Sequence, residues 1–215
     1  MGNKLYCCKA NCKQCLVRLP DKRIGIIKTT DIYGLRKKVV EPTDSLRSMI
    51  ISAAQQLLGI PYCWGGRSPK GCDCSGLINL AYRTSGLELP RNSHPMWLRS
   101  GKINHGSQLQ PGDLIFFART KRKKKVHHVL MYIGDEQIIE SCLSRGVVIR
   151  KAKNRFGLPV ASLRYGDIIR TPGPHPEKFV IYFGTYLGDR DRVQYMRDYA
   201  LGNYDVTRWV KNEQN

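Results

Sequence analysis

The fold prediction starts from YCWGG at residues 62–66 and DCSGLI at residues 73–78, two phrases separated by a six-residue loop. The paired glycines of the first phrase allow a tight turn at no steric cost. Asp73 is a good helix N-cap, and apolar residues then recur at helical spacing through Tyr82. A helix is therefore expected to begin at Cys74, directly after a tight loop.

Cys74 is the residue to which this local structure gives chemical significance. In the first turn of a helix, unpaired backbone N–H groups and the positive end of the helix dipole stabilise a thiolate. Ser75 and Gly76 are small and are expected to leave room above the sulfur for a ligand. The alternative is plain packing, because free cysteines are among the most buried residue types. The flanking residues favour a nucleophile.

The net charge of the chain indicates the kinds of surroundings that suit it but does not identify a partner. Its 215 residues carry 36 Lys and Arg against 17 Asp and Glu, a formal net charge of +19. Such an excess suits polyanionic surroundings such as nucleic acid, an anionic membrane or acidic cell-wall material. The basic run 121–125 accompanies no nucleic-acid recognition motif, so no specific nucleic-acid partner is predicted.

The cellular compartment is predicted from what the sequence lacks. No stretch approaches the length of a transmembrane helix, and the first residues have no apolar core for a signal peptide. Eight cysteines without an export signal are interpreted as reduced thiols. We therefore expect a cytoplasmic location, with the periplasm, reached by an unrecognised route, as the alternative.

Residues 1–42 are predicted to form a separate N-terminal segment. Four cysteines lie close together there: Cys7, Cys8, Cys12 and Cys15. Cysteines this close cannot easily close a tetrahedron around zinc, so a basic tail is favoured and no metal is predicted. Residues 15–19 and 24–27 flank a Pro-Asp turn and predict a β-hairpin that resembles the closing hairpin of a bacterial SH3 domain.

The main domain is predicted at residues 43–170, with helices first and strands after. Residues 46–58 carry a strong amphipathic helix pattern, and Ser93 is expected to cap a short helix. Five strand-type runs follow: 114–117, 127–133, 137–140, 147–149 and 165–170. This order predicts an α+β fold in which helices pack on an antiparallel sheet. Residues 171–215 are assigned to a C-terminal extension whose packing site the sequence does not specify.

A thiolate nucleophile needs a base that also protonates the leaving group, and histidine does both near neutral pH. Three of the five histidines, His94, His105 and His175, lie beside Pro or Gly in expected loops. His127 and His128 open a strand, and strand alternation sends them to opposite faces. The pattern alone leaves the choice between these two open.

Five phrases in a fixed order resemble the NlpC/P60 cysteine peptidases. They read Tyr-x-Trp-Gly-Gly, Asp-Cys-Ser-Gly-Leu, Leu-Pro-Arg-x-Ser, Leu-x-Pro-Gly-Asp-Leu and His-Val-x-x-Tyr-Ile-Gly, between residues 62 and 134. The resemblance implies a papain-like α+β core, with Cys74 as nucleophile and His128, which precedes the Val of the last phrase, as base. His127 is then structural. It also implies that Tyr62, Asp73, Ser75 and Ser93 line the substrate groove.

The third polar group of the family falls on Glu140, where the family usually has His and sometimes Asn or Gln. A carboxylate can hold the imidazole and favour its charged form. A tight two-residue turn would place His128 and Glu140 on opposite faces, so a bulge or an odd-length loop is required. Leu130 replaces a common Gly and is expected to narrow the cleft beside the base.

The resemblance implies a cysteine peptidase without cofactors that cleaves peptidoglycan-derived peptides between γ-D-glutamate and diaminopimelate. One alternative is a thiol acyltransferase or lipid hydrolase on a related fold, although such enzymes place histidine before cysteine. The other is a weakened module that binds cell-wall peptides. The basic run Lys121, Arg122, Lys123, Lys124 and Lys125 is most simply a solvated loop, with weak attraction to anionic surfaces as its functional alternative.

Overall fold

The computed structural model describes residues 6–10, 14–18, 24–28, 44–122 and 125–188. The chain divides into two units, Met1–Val39 and Val40–Asn215, a boundary three residues before the one drawn from sequence. The first unit contains three antiparallel strands: β1 (Tyr6–Ala10), β2 (Gln14–Arg18) and β3 (Ile24–Lys28). Strands β2 and β3 form the predicted hairpin, whereas β1 replaces what was expected to be a tail. The cysteine side chains of this segment lie outside the described residues.

The second unit contains the helices and a larger sheet. Its helices are α1 (Asp44–Gln55), α2 (Cys74–Thr84), α3 (Ser93–Arg99) and α4 (Ala152–Phe156). Its strands are β4 (Arg67–Ser68), β5 (Gly71–Cys72), β6 (Gly101–Ile103), β7 (Leu114–Arg119), β8 (Val126–Gly134), β9 (Gln137–Cys142), β10 (Gly146–Lys151), β11 (Ile168–Arg170) and β12 (Lys178–Thr185). Among the described residues, no helix is long and apolar enough to cross a membrane.

The main sheet has the strand order β10-β9-β8-β7-β12-β11, with β6 paired to the far end of β12. Every pairing in it is antiparallel. Strands β4 and β5 form a separate two-residue ribbon inside the loop that precedes α2. The predicted α+β class, with helices before an antiparallel sheet, is confirmed.

Strand β12 corrects the predicted domain boundary at residue 170. It lies in the interior of the sheet, where Ile181 pairs with Phe117 of β7 and Val180 pairs with Ile168 of β11. Its residues from Phe179 to Phe183 are buried. The neighbours of these apolar residues could not be predicted from sequence, because a strand that returns to the middle of a sheet leaves no local signal of its partners. The described part of the predicted extension belongs to the main domain.

The sheet buries apolar side chains on both of its faces. On β7, Leu114 and Phe116 contribute to a core shared with α1, α2 and α3, while Ile115 and Phe117 contribute to a second core. The second core is covered by α4 and by a 3₁₀ turn at Val160–Ser162. Because β7 is covered on both sides, it is a continuous apolar run rather than an alternating one.

Candidate active site

The loop before α2 holds Cys74 at the first position of that helix. Asp73 is the N-cap, and its Oδ1 accepts the backbone N–H of Gly76 at 2.6 Å. Gly65 has φ +75°, a left-handed conformation that glycine adopts without strain, and its N–H donates to Asp73 Oδ2 at 2.9 Å. The predicted cap and the predicted tight turn are therefore joined through one carboxylate, which fixes the backbone on both sides of the cysteine.

The Asp73 carboxylate also forms a two-pronged ion pair with Arg91. Arg91 Nη1 donates to Oδ1 at 3.1 Å and Nη2 donates to Oδ2 at 2.7 Å, while Ser75 Oγ donates to Oδ1 at 3.1 Å. Burial would raise the pKa of Asp73, but the hydrogen bonds from Arg91 and Gly76 outweigh it and lower the pKa. Both oxygens of Asp73 already have protein partners, so its clearest role is to organise the loop.

Two residues of this network were missed by the sequence analysis. Arg91 lies within the Leu-Pro-Arg phrase and also donates to Ser75 Oγ at 2.9 Å. Asn79 is fully buried in α2, and its amide donates to the carbonyls of Ser75 at 2.9 Å and Pro90 at 3.3 Å. Asn79 thereby ties the Arg91 segment to the nucleophile helix. A polar residue in an otherwise apolar helix stripe was its sequence signal.

The side chains of Cys74 and of His128 on β8 influence each other's charge, and the Val129 backbone also acts on the sulfur. Burial would raise the pKa of the Cys74 thiol, but the hydrogen bond and charge of His128 outweigh it and lower the pKa. Burial would likewise lower the pKa of His128, yet its bonds to Cys74 and Glu140 raise it to about 9. The pair therefore favours a thiolate beside an imidazolium.

Glu140 of β9 accepts from the opposite side of the imidazole. His128 Nε2 lies 2.8 Å from Glu140 Oε2, which leaves Nδ1 as the nitrogen for the thiol. The side chain of Glu140 has no exposed surface. Burial would raise the pKa of this carboxyl, but His128, Arg155 and Arg150 lower it to about 2. Glu140 is therefore an anion throughout the neutral range.

A β-bulge brings His128 and Glu140 to the same side of the sheet. Met131 pairs with Ile139, but Gly134 pairs with Gln137, so Ile133 is an extra residue in β8. Continuing the first register places Glu140 opposite Leu130, two residues from His128 along the strand. The bulge that was predicted from the alternation of side chains along the two strands is therefore present.

Two arginines that the sequence analysis missed contact the other oxygen of Glu140. Arg150 Nε lies 3.2 Å and Arg155 Nε 3.3 Å from Oε1. Neither N–H is aimed well enough for a hydrogen bond, so both contacts are ionic. Val148 pairs with Glu140, so strand alternation in β10 could have predicted Arg150. Arg155 lies on the short helix α4, which the sequence did not predict.

The predicted groove residues have different positions. Tyr62 is half-buried and forms an isolated bridge with Cys72, and burial, together with the nearby Cys74 and Asp73, raises the pKa of its phenol. Ser93 is buried at the first residue of α3, but the N-cap is Asn92, so the predicted capping role of Ser93 is wrong. The binding roles of Tyr62, Asp73, Ser75 and Ser93 stay predictions.

Two expectations about space near the thiol are corrected. Gly76 does not leave room for a ligand, because a Cβ there would collide with the Gly66 carbonyl oxygen. Its smallness instead allows the loop to approach α2. Leu130 does not narrow a cleft, since it is fully buried in the second core against residues of β7 and β9.

His127 and the basic run lie just before the base in the chain. His127 is exposed overall, but its ring contacts Phe179, and partial loss of solvent around the ring, with the charges of His128, Arg119 and Arg155, lowers its pKa to about 4. Lys121, Arg122 and Lys125 of the run are exposed.

Among the described residues, no group of His, Cys, Asp and Glu is arranged to hold a metal ion.

Comparison with known proteins gives one family. Residues 59–159 match the sequence model of the NlpC/P60 family. A gamma-D-glutamyl-L-lysine dipeptidyl-peptidase of Bacillus cereus is 39% identical over 125 residues, which are 58% of this chain and 37% of the relative. A gamma-DL-glutamyl hydrolase of Bacillus subtilis is 35% identical over 121 residues, 55% of this chain and 29% of the relative.

The structural comparison agrees with the sequence comparison. The crystal structure of an NlpC/P60 family protein from Bacillus cereus superposes with a TM-score of 0.55 and 30% identity, covering 74% of this chain and 52% of that one. The resemblance and the papain-like α+β core predicted from the five phrases are thus confirmed. The chain spans only 37% and 29% of the length of these two curated relatives.

Proposed function

We propose, from the premise that residues 59–159 form an NlpC/P60 domain, that this chain is a cysteine peptidase acting on peptidoglycan-derived peptides. The observation that carries the proposal is the set Cys74, His128 and Glu140: His128 lowers the pKa of the Cys74 thiol, and its Nε2 lies 2.8 Å from the buried Glu140 carboxylate. A thiol at a helix start, an imidazole beside it and a buried carboxylate behind the imidazole are the parts that nucleophilic acyl transfer needs.

The first chemical step is attack of the Cys74 thiolate on an amide carbonyl carbon. The oxyanion that forms requires hydrogen-bond donors that are not already engaged. In the first turn of α2, the N–H of Gly76 is taken by Asp73, and that of Leu77 by the Asp73 carbonyl. The N–H of Cys74 precedes both and has no partner within the helix. Together with the neutral Tyr62 hydroxyl, it is the proposed oxyanion site.

His128 supplies the proton that completes amide cleavage. Because its pKa is raised to about 9, it carries a proton at neutral pH and can pass that proton to the departing amine. The C–N bond breaks and an acyl-thioester on Cys74 is left. The neutral imidazole then removes a proton from water, and the resulting hydroxide attacks the thioester carbonyl carbon. The C–S bond breaks, which releases the acid and regenerates the thiolate beside the imidazolium. Glu140 keeps the imidazole in place through both steps.

The proposed substrate is a peptide with a γ-D-glutamyl bond to a diamino acid. Its support is the activity for which two relatives are named, a gamma-D-glutamyl-L-lysine dipeptidyl-peptidase and a gamma-DL-glutamyl hydrolase. Each of these matches covers only part of the relative, so the extent of the peptide on either side of the bond is left to experiment. Diaminopimelate is the proposed diamino acid.

The test is incubation of the purified chain with L-Ala-γ-D-Glu-diaminopimelate, followed by mass spectrometry of the products. The proposal predicts release of diaminopimelate by the unmodified protein and none by Cys74→Ala. Cys63→Ser is a matched control, since Cys63 is an exposed free cysteine in the same loop region. Equal turnover by Cys74→Ala, or peptide binding without cleavage by the unmodified protein, would contradict the proposal. The second result would favour a binding module.

A further inference from the structure

Glu140 has a charge environment that the proposed mechanism does not by itself require. One oxygen serves His128, but the other faces two guanidinium groups, Arg150 at 3.2 Å and Arg155 at 3.3 Å. Holding an imidazole needs only one acceptor, and an uncharged amide can provide it. Two cations on the second oxygen therefore call for an explanation.

A buried carboxylate beside His128 can change which of the two side chains holds the proton between them. Glu140 has no exposed side-chain surface, and burial disfavours its charged form. Beside an imidazolium, such a carboxylate can take the proton itself, which leaves a neutral pair. A neutral imidazole in that state has no proton to give to the leaving amine. His128 is the largest influence that lowers the pKa of Glu140, and Arg155 and Arg150 are the cations that remain beside it when the imidazole is neutral.

The two arginines come from different elements and are held independently. Arg150 projects from β10 on the side of Val148, which pairs directly with Glu140. Arg155 comes from α4, and its guanidinium carbon lies 4.9 Å from the centre of the Phe117 ring. That ring also lies 6.0 Å from the His128 ring. Arg155 and His128 therefore contact the same aromatic side chain, with Glu140 bridging them.

We propose that Arg150 and Arg155 are positioning residues that keep Glu140 a permanent buried carboxylate, so that the proton between Glu140 and His128 stays on the imidazole. The proposal deepens the proposed function and rests on it for the role of His128. The groups that act on Glu140 are His128 from β8, Arg150 from β10 and Arg155 from α4. His128 in turn faces Cys74 from α2 and lies next to His127 in β8.

The test follows the Glu140 carboxyl directly and needs no substrate. The sequence has six glutamates, so the full chain labelled with ¹³C at the glutamate carboxyl carbon gives few NMR signals, and Glu140→Gln identifies the one of interest. In the unmodified protein this signal is expected to stay constant from pH 8 to pH 4. In Arg150→Gln/Arg155→Gln it is expected to titrate with a midpoint above pH 4.

A charge-conserving variant separates positioning from packing. Arg150→Lys/Arg155→Lys keeps both cations but loses the planar groups, and its Glu140 signal is expected to stay constant as in the unmodified protein. If the double Gln variant does not fold, the two single Gln variants are compared, each with a midpoint above that of the unmodified protein. A constant signal in all folded Gln variants, or equal titration in the Lys and Gln variants, would overturn the proposal.

Kinetics give a second readout. The double Gln variant is expected to lose about tenfold in kcat with KM changed less than twofold, and the Lys variant is expected to recover most of this loss. A rise in KM alone would contradict the proposal, because it would place the arginines on the substrate rather than on Glu140. If the unmodified protein cleaves no peptide, the proposed function fails while the NMR titration still decides the role of the arginines.

Discussion

Replacing Glu140 by Gln tests how much of the site depends on one negative charge. The amide keeps the size of the side chain and an oxygen that can accept from His128 Nε2, which is 2.8 Å from the carboxylate. It removes the charge that lies between the imidazole and two guanidinium groups. The change therefore alters electrostatics with little change in shape.

The expected kinetic effect follows from the pKa of His128. Glu140 and Cys74 together raise this pKa to about 9, against the burial of the ring. Removing the charge of one of the two is expected to lower it by roughly one pH unit, equivalent to about 1.4 kcal/mol. Because the protonated imidazole is the acid that cleaves the bond, the high-pH limb of kcat/KM should move down by the same amount.

The expected stability effect has a definite pH dependence. The pKa of Glu140 is about 2 in the folded protein and 4.5 in a free side chain. A carboxyl whose pKa is lowered this far adds roughly 3 kcal/mol to the free energy of unfolding above pH 4.5. This contribution is lost as the pH falls towards 2. The arginines are partly exposed and can rehydrate, so we expect Glu140→Gln to cost about 1–3 kcal/mol at pH 7.

Two measurements check this prediction. The pH profile of peptide hydrolysis locates the high-pH limb of kcat/KM. Thermal unfolding at pH 7 and pH 4 measures the stability, and the stability lost in Glu140→Gln should be smaller at pH 4. Glu136→Gln in the turn before β9 is a control for removing a carboxylate elsewhere, since Glu136 accepts the N–H groups of Val160 and Ala161. An unmoved limb together with unchanged stability would refute the assigned role of the Glu140 charge.

Three further outcomes are expected. Asp73→Asn removes the carboxylate that joins the loop to α2. The free energy of unfolding, measured by denaturant titration, should therefore fall by about 1–3 kcal/mol. Gly76→Ala drives a Cβ into the Gly66 carbonyl and should destabilise by a similar amount, whereas retained stability would show that the loop can move away. His128→Ala removes the group that lowers the pKa of Cys74, so iodoacetamide should alkylate this thiol about tenfold more slowly at pH 7. Mass spectrometry of the modified peptide measures the rate, and an unchanged rate would contradict the assigned pairing.

Local signals made the nucleophile helix predictable. A capping Asp, two turn glycines and an apolar helix stripe all act within a few residues, so Cys74 at the start of α2 could be placed from sequence alone. The same is true of the strand that carries His128. The choice between His127 and His128 needed the family resemblance, because strand alternation does not say which face is the site.

Contacts between distant segments were the part that sequence could not provide. The insertion of β12 between β7 and β11 depends on pairing across about sixty residues, for which no local pattern exists. Parity could demand a bulge between His128 and Glu140 but could not locate it at Ile133. The position of Arg155 could not be predicted for a related reason, since its short helix gains its stability from packing on the second core.

The central claim is that the Cys74 thiol carries the acyl group during hydrolysis. Acid quenching during turnover of the γ-D-glutamyl peptide, followed by trypsin and tandem mass spectrometry, would find that group on the fragment from Gly71 to Arg83. This fragment also contains the fully buried Cys72, so fragment ions must assign the modified sulfur. A thioester is expected on Cys74, and it should disappear in Cys74→Ala together with product formation. An acyl group on another residue, or turnover that persists in Cys74→Ala, would contradict it.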